Sequence, residues 1–180
     1  MRKSIAVAFC GIITAFCVML LFLTGLIPIG TYALPAVAGV LLIVIVVELG
    51  TRWAWPVYFA SSILAVFIAA DKEAAMLYVL FFGYYPILKA VLEMKHMKLS
   101  VTYFLKFTVF NASMVLGYFL SIYILGVPAD SFTVFGVYLP VVYLLLGNIT
   151  YFFYDLAITS LVVSYVQRFH KTVNRFLRMK

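Results

Sequence analysis

Charged side chains are scarce in this sequence, and acidic ones are the scarcest. Of 180 residues, 11% are charged, 67% are hydrophobic and six are Asp or Glu, with a mean hydropathy of +1.16. Soluble domains carry about 25% charged and about 45–50% apolar residues. The composition therefore excludes a soluble globular protein, and the length suits a single integral membrane domain over residues 1–180.

Cysteine and histidine are also rare, and their positions exclude several kinds of site. Cys10 and Cys17 fall on one predicted helix about 10 Å apart along its axis, which is too far for a disulfide. We interpret both as small packing residues. His96 and His170 lie in basic segments, and no spacing typical of a metal centre is present. We therefore expect neither a metal nor a cofactor.

Catalytic motifs are missing as well. The sequence contains no HExxH, no GxSxG and no glycine loop of the kind that cradles a phosphate. Its deepest acid, Asp155, has no second acid or histidine at the same level, which makes a poor acid/base pair. We expect a protein that is not an enzyme. Because no nucleotide-binding region is present, any energised transport needs ATPase subunits on other chains.

Long apolar runs dominate the sequence, and six of them have at least the ~17 residues that a membrane-crossing helix needs. They predict an all-α polytopic membrane protein, a bundle of six transmembrane helices at about residues 4–27, 33–50, 54–70, 74–94, 101–125 and 137–166, with a basic tail at 167–180. Gly83 and Pro86 predict a kink in the fourth helix, because proline lacks the N–H and clashes with the preceding turn.

The basic residues predict the topology of this bundle. Six spans place both termini on one side, and twelve of the thirteen Lys and Arg residues fall on that side, with Lys72 opposite. By the positive-inside rule both termini are cytoplasmic, in the plasma membrane. The net charge of +7 therefore indicates topology and contact with membrane lipids, especially by the tail, and not nucleic-acid binding.

One charge lies inside the last apolar run. Asp155 is well within the sixth predicted helix, where a carboxylate costs about 2.5–3.5 kcal/mol and needs a partner or a wet cavity. It shares a helix face with Asn148, Phe152 and Thr159. Lys89 on the fourth helix is the preferred partner for an ion pair, although its long stem also reaches the headgroups. The carboxylate is either a structural lock or part of a ligand site.

Polar groups within the membrane concentrate in the last three predicted helices, whereas the first three offer small and aliphatic residues. A pocket for a small polar or aromatic ligand suits the former group, because tyrosine has both a stacking face and a hydroxyl. The predicted ligand-binding residues there are Tyr84, Tyr85, Asn111, Asn148, Tyr151 and Asp155.

The first helix has a face of small residues, made of Ser4, Ala8, Gly11 and Ala15. Such residues allow close approach of two helices without lipid between them. The face either packs within the same bundle or docks on another membrane subunit.

Taken together, six helices in 180 residues, the small-residue first helix and the polar last three helices resemble the substrate-binding S component of energy-coupling-factor (ECF) transporters. The resemblance implies a membrane subunit that binds a vitamin-like micronutrient for uptake and docks on a transmembrane coupling protein driven by two ATPase subunits. It also implies that Ser4, Ala8, Gly11 and Ala15 form the docking face, where this chain has SxxxA and GxxxA in place of the usual AxxxA. A pocket lined by Tyr32 and the last three helices would hold the small-molecule ligand.

Two alternatives remain open at this stage. Small membrane scaffolds of the rod-shape cell-wall machinery, which are MreD-like, have a similar shape, and for them Asp155 and the tyrosines are structural. The chain could also have kept the S-component shape without its transport partners. A closed, outward-facing polar pocket between the fourth and sixth helices distinguishes transport from scaffolding.

Overall fold

The computed structural model describes residues 3–27, 30–95, 98–128, 133–134, 137–170 and 173, and this part of the chain is almost entirely helical. His96 and most of the predicted basic tail lie outside the described residues. The helices are α1 (Lys3–Leu23), α2 (Gly30–Leu49), α3 (Thr51–Ile68), α4 (Lys72–Leu77), a π-helical turn (Tyr78–Phe82), α5 (Tyr85–Met94), α6 (Leu99–Tyr123) and α7 (Leu139–Arg168).

Five helical segments of the described chain are long and apolar enough to cross a membrane. They are α1, α2, the continuous stretch Lys72–Met94, α6 and the stretch Pro140–Arg168 of α7. The protein is therefore an all-α membrane protein, but the predicted count of six spans is not reproduced. Helix α3 is present where the third span was expected, yet Arg52, Trp53 and Pro56 make its first turns too polar to be counted with the other five.

The kink expected in the fourth predicted helix is present, with a cause that the sequence does not show. The N–H of Gly83 donates to the carbonyl of Tyr78, five residues back, at 2.8 Å. The carbonyl of Val79 thereby loses its usual helical donor, and the Tyr58 hydroxyl of α3 donates to it at 2.7 Å. The α-helix resumes at Tyr85, so a π turn and Pro86 together bend this segment in the middle.

Helices α1, α2 and α3 pack closely on one another and on the bent segment. The side chains at their centre are apolar or small, including Cys17, Leu42 and Ala54, each with no exposed surface. Cys10 and Cys17 are both free thiols, and the Cys17 thiol donates to the Ala38 carbonyl at 3.4 Å. Both cysteines thus lie within or beside a packed core, as small residues.

A short hairpin precedes α7, and its second strand takes the first two residues of the predicted sixth helix, which begins at Leu139 instead of 137. Strands β1 (Thr133–Val134) and β2 (Val137–Tyr138) are antiparallel, with Thr133 opposite Tyr138 and Val134 opposite Val137. Two residues per strand make a local link, and the architecture remains a helical bundle.

Candidate functional site

Four charged side chains converge where α5, α6 and α7 meet, and we call them the charge cluster: Lys89, Glu93, Lys106 and Asp155. Lys89 Nζ lies 2.6 Å from Asp155 Oδ1. Lys106 Nζ lies 3.2 Å from Oδ1 and 3.3 Å from Oδ2 of the same carboxylate. Lys89, Lys106 and Asp155 are 4%, 3% and 4% exposed, so these three charged residues are almost fully buried within the protein.

Glu93 completes the cluster from its edge. Its Oε1 lies 2.7 Å from Lys89 Nζ and 2.8 Å from Lys106 Nζ, while its side chain is 47% exposed. Two ammonium groups therefore face two carboxylates, and the cluster is neutral as a whole. Mutual compensation of this kind is what a charge inside a membrane protein requires.

Two tyrosines extend the cluster into the bundle. The Tyr85 hydroxyl donates to Asp155 Oδ1 at 2.5 Å, and the Tyr85 and Tyr151 hydroxyls are 2.8 Å apart. The Asp155 carboxylate thus has three donors, from α5 and α6. The Tyr151 ring stacks on Phe110 of α6, with 4.7 Å between ring centroids, which adds an apolar contact beside the polar one.

Helical spacing explains why these residues meet. Tyr85, Lys89 and Glu93 are four residues apart and so lie on one face of α5, while Tyr151 and Asp155 stand in the same relation on α7. Where the two faces come together, Tyr85 bonds Tyr151 and Asp155, and Lys89 bonds Asp155. The pair Lys89 and Asp155 was expected from the sequence, whereas the contributions of Lys106 and Glu93 were not.

A second set of polar contacts joins α6 to its neighbours away from the charges. Asn111 and Asn148 bond reciprocally, each Nδ2 donating to the other's Oδ1 at 2.9 Å. The Tyr84 and Ser113 hydroxyls are 2.7 Å apart and link the start of α5 to α6. Five of the six ligand-binding residues expected here are therefore hydrogen-bonded to one another, and the sixth, Tyr84, is bonded to Ser113.

Tyr32 does not join this group. It lies in the first turn of α2, is 62% exposed, and its hydroxyl donates to Glu73 Oε1 at 3.2 Å. Beside it, the Thr31 hydroxyl donates to Asp71 Oδ2 at 2.7 Å, and Asp71 caps the first turn of α4. These contacts fasten the start of α2 to the connection between α3 and α4. The structure thus brings Tyr32 to acidic side chains and not to the other predicted ligand residues.

Two hollows on the described surface are open and mainly apolar. One, of about 720 Å³, lies along α6 and is lined by Phe104, Phe107, Thr108, Asn111, Ala112, Val115, Leu116 and Phe119. The other, of about 180 Å³, lies between α2 and α7 and is lined by Val40, Ile43, Val44, Leu161, Ser164, Tyr165 and Phe169. Neither is lined by Tyr84, Tyr85, Tyr151 or Asp155, so neither is the polar pocket that the sequence predicts.

The small-residue face of α1 points away from the bundle. Ser4, Ala8, Gly11 and Ala15 are all exposed, and a Cβ added to Gly11 would meet nothing within 4 Å. The opposite face, with Ala6, Ile13, Cys17 and Leu21, is the one buried against the bundle. Packing of the small face within its own bundle, one of the two interpretations of the sequence, is therefore wrong.

A third polar contact, at the other end of α2, was not predicted at all. Glu48 Oε1 accepts a hydrogen bond from the Tyr165 hydroxyl at 2.8 Å and lies 3.0 Å from His170 Nδ1. The Glu48 side chain is 1% exposed, which makes it a second acid buried by α7. In the sequence, the sign of this contact is the position of Glu48 at the end of a long apolar helix.

Among the described residues, no group of His, Cys, Asp and Glu could hold a metal ion.

Comparison with known proteins adds no relative: no family model, no curated protein and no solved structure matches this chain. The function must therefore be argued from the arrangement of its own residues.

Proposed function

We propose that this chain is the membrane-embedded, substrate-binding subunit of an uptake system for a small, vitamin-like micronutrient, similar to an ECF S component. Separate ATPase and coupling subunits energise it. The observation that carries this proposal is the exposed small-residue face of α1, formed by Ser4, Ala8, Gly11 and Ala15. The proposal includes α3 as a sixth, short span and both termini in the cytoplasm.

The two faces of α1 have different tasks in this proposal. One face holds the helix to α2 and α3 through buried side chains, so the fold does not need the other. In a bilayer, apolar side chains gain little by leaving lipid, and helices associate where small residues let the backbones approach closely. An open face of four small residues therefore suits a transmembrane coupling protein as its partner.

The ligand site in this proposal lies among α5, α6 and α7, where the polar side chains gather. Tyr84, Asn111 and Asn148 are half-buried, and an incoming ligand could replace the hydrogen bonds that they make with other side chains. Tyr85, Tyr151 and Asp155 lie deeper and are buried. We assign the first group to direct ligand contact and the second to holding the helices in place beneath it.

A second function is favoured by a specific observation. The side chains of the charge cluster, with Tyr85 and Tyr151, satisfy one another, and both hollows are mainly apolar. This arrangement suits a membrane scaffold or assembly protein of the MreD-like kind, in which Asp155 is a structural lock and no ligand is transported.

Purification of the tagged chain from its native membrane in mild detergent, followed by mass spectrometry of bound proteins and small molecules, tests both functions. The uptake function predicts a coupling protein with two ATPases, or a stoichiometric vitamin-like ligand. Cell-wall synthesis or shape proteins without a ligand would favour the scaffold and contradict uptake.

Two variants with the same substitution sharpen this test. Ala8 lies on the small-residue face of α1, and Ala112 is an exposed alanine on α6. Ala8→Leu should release the co-purifying membrane partner because the bulky side chain holds the two helices apart. Ala112→Leu should retain it. Equal retention by both variants would contradict docking through α1.

A further inference from the structure

The charge cluster contains two lysines whose charges are balanced by two very different carboxylates. Asp155 has a 6% exposed side chain and accepts hydrogen bonds from Lys89, Lys106 and Tyr85. Asp155 therefore neutralises one of the two ammonium charges permanently. The second positive charge remains for another anion to neutralise.

Glu93 supplies that second anion, but its position is much less constrained. It lies in the last turn of α5, its side chain is 47% exposed, and its contacts in the cluster are with the two ammonium groups alone. A carboxylate on a flexible stem at the surface can turn outward and regain its hydration at little cost. The two lysines cannot follow it, because Lys89 and Lys106 are 4% and 3% exposed.

We propose that Lys89 and Lys106 form a binding site for a small oxyanion, a phosphate or a carboxylate, and that Glu93 is its built-in occupant. Each ammonium group has three N–H donors, and Glu93 Oε1 bridges both at 2.7 and 2.8 Å, which is the way one oxygen of such an anion binds. An incoming monoanion takes the place of the Glu93 carboxylate and keeps the cluster neutral. The site shares no residue with the proposed ligand contacts Tyr84, Asn111 and Asn148 or with the docking face of α1.

The position of the site allows two sources for the anion. Glu93 lies next to the connection between α5 and α6, where Met94 and Leu99 are 60% and 73% exposed, and Lys106 lies about two turns into α6. The end of a membrane helix at such a connection lies near the headgroups. The oxyanion is therefore either the phosphate of an anionic lipid or a free phosphate or carboxylate from solution.

Glu93→Gln tests the proposal, because it removes the occupant and keeps the size of the side chain. Glu73→Gln is the control, with the same charge change on α4, where Glu73 accepts a hydrogen bond from the exposed Tyr32. In chloride, Glu93→Gln should lower the melting temperature by about 5 °C, since one buried ammonium charge loses its counter-ion. Inorganic phosphate, added at equal ionic strength, should restore the melting temperature along a saturating curve. The phosphate concentration that gives half of this response should be about tenfold lower for Glu93→Gln than for the wild type.

A second medium distinguishes the source of the anion. Restoration by phosphate in detergent identifies a soluble anion, whereas restoration only in nanodiscs that contain phosphatidylglycerol, and not in those of phosphatidylcholine, identifies a lipid headgroup. Addition of Lys106→Met to Glu93→Gln should abolish either response. The proposal is overturned if Glu93→Gln responds to neither anion more than Glu73→Gln does.

If Glu93→Gln does not accumulate, the wild type and Lys106→Met replace it. Phosphate or phosphatidylglycerol should then raise the melting temperature of the wild type and leave that of Lys106→Met unchanged. Equal responses of the two chains would overturn the proposal.

Discussion

Helices α1 to α3 meet through apolar and small side chains, whereas α5 to α7 meet through charges, amides and hydroxyls. In the first region, Cys17, Leu42 and Ala54 have no exposed surface, and the bonds between helices are few. In the second, the buried side chains described on α7 are Tyr151, Asp155 and Ile158, and the helix is attached by hydrogen bonds of Asp155, Tyr151 and Asn148. Because lipid competes with apolar contacts, a loosely packed helix such as α7 depends on polar bonds to stay in place.

The largest effect should come from the charge cluster. Asp155→Leu removes the acceptor of Lys89, Lys106 and Tyr85 and leaves two buried ammonium groups with Glu93 alone. We expect a loss of about 3–5 kcal/mol in the free energy of unfolding, measured by thermal or denaturant unfolding in mild detergent.

The double variant Lys89→Met/Asp155→Leu is the control, since it leaves Lys106 paired with Glu93 and the cluster neutral. It should be more stable than Asp155→Leu by at least about 1 kcal/mol. Lys89→Met is also measured alone. If the stability losses of the two single variants add up to the loss of the double variant, charge balance does not stabilise this region.

The next effect sharpens the close-packed side of the comparison. A Cβ added to Gly39 of α2 would overlap the carbonyl oxygen of Phe82, the last residue of the π-helical turn. Gly39→Ala should therefore cost about 1–3 kcal/mol, because backbone must move to make room. Gly11→Ala on the open face of α1 is the matched change, and it should leave stability unchanged or raise it by up to about 1 kcal/mol. Equal losses would mean that Gly11 is packed too.

The difference between the two regions was partly predictable from the sequence. Lengths of apolar runs located the helices to within a few residues, and the isolated charge of Asp155 pointed to a partner on another helix. The i, i+4 spacing of Lys89 and Glu93 was also visible, but only the packing of α6 shows that Lys106 reaches both acids. Which faces meet depends on the rotation of each helix about its axis, and nearly uniform hydrophobicity does not specify that rotation.

Local backbone features were harder to predict. The π turn at Tyr78–Phe82 inserts one residue into the bent segment and so changes the direction of every side chain beyond it. Gly83 and Pro86 predicted a bend but not its kind. Tyr32, assigned to the ligand pocket by resemblance alone, lies against Glu73 instead, because the first turn of α2 is fastened to Asp71 and α4.

A smaller effect tests the amide contact between α6 and α7. Asn148→Leu removes both hydrogen bonds with Asn111, and we expect a loss of about 1 kcal/mol, within the range measured for polar contacts between membrane helices. Addition of Asn111→Leu should cost little more, since the second amide has already lost its partner. Thr150→Val is the control, because that exposed hydroxyl donates within its own helix, to the Leu146 carbonyl. If Thr150→Val lost as much stability as Asn148→Leu, any polar group on α7 would contribute equally to stability.

The smallest effect should have the opposite sign and comes from Tyr154, with Tyr151 on the same helix as the comparison. The Tyr154 hydroxyl is buried and has no hydrogen-bond partner among the described residues, while its ring packs 5.3 Å from that of Phe82. Tyr154→Phe keeps the ring and removes an unsatisfied polar group, so stability should rise by up to about 1 kcal/mol. Tyr151→Phe removes the hydroxyl that bonds Tyr85 and should lower it by about 0.5–1.5 kcal/mol. If both substitutions lowered the unfolding temperature in the same detergent, the Tyr154 hydroxyl would have a partner such as a buried water, and both tyrosines would then attach α7 through polar bonds.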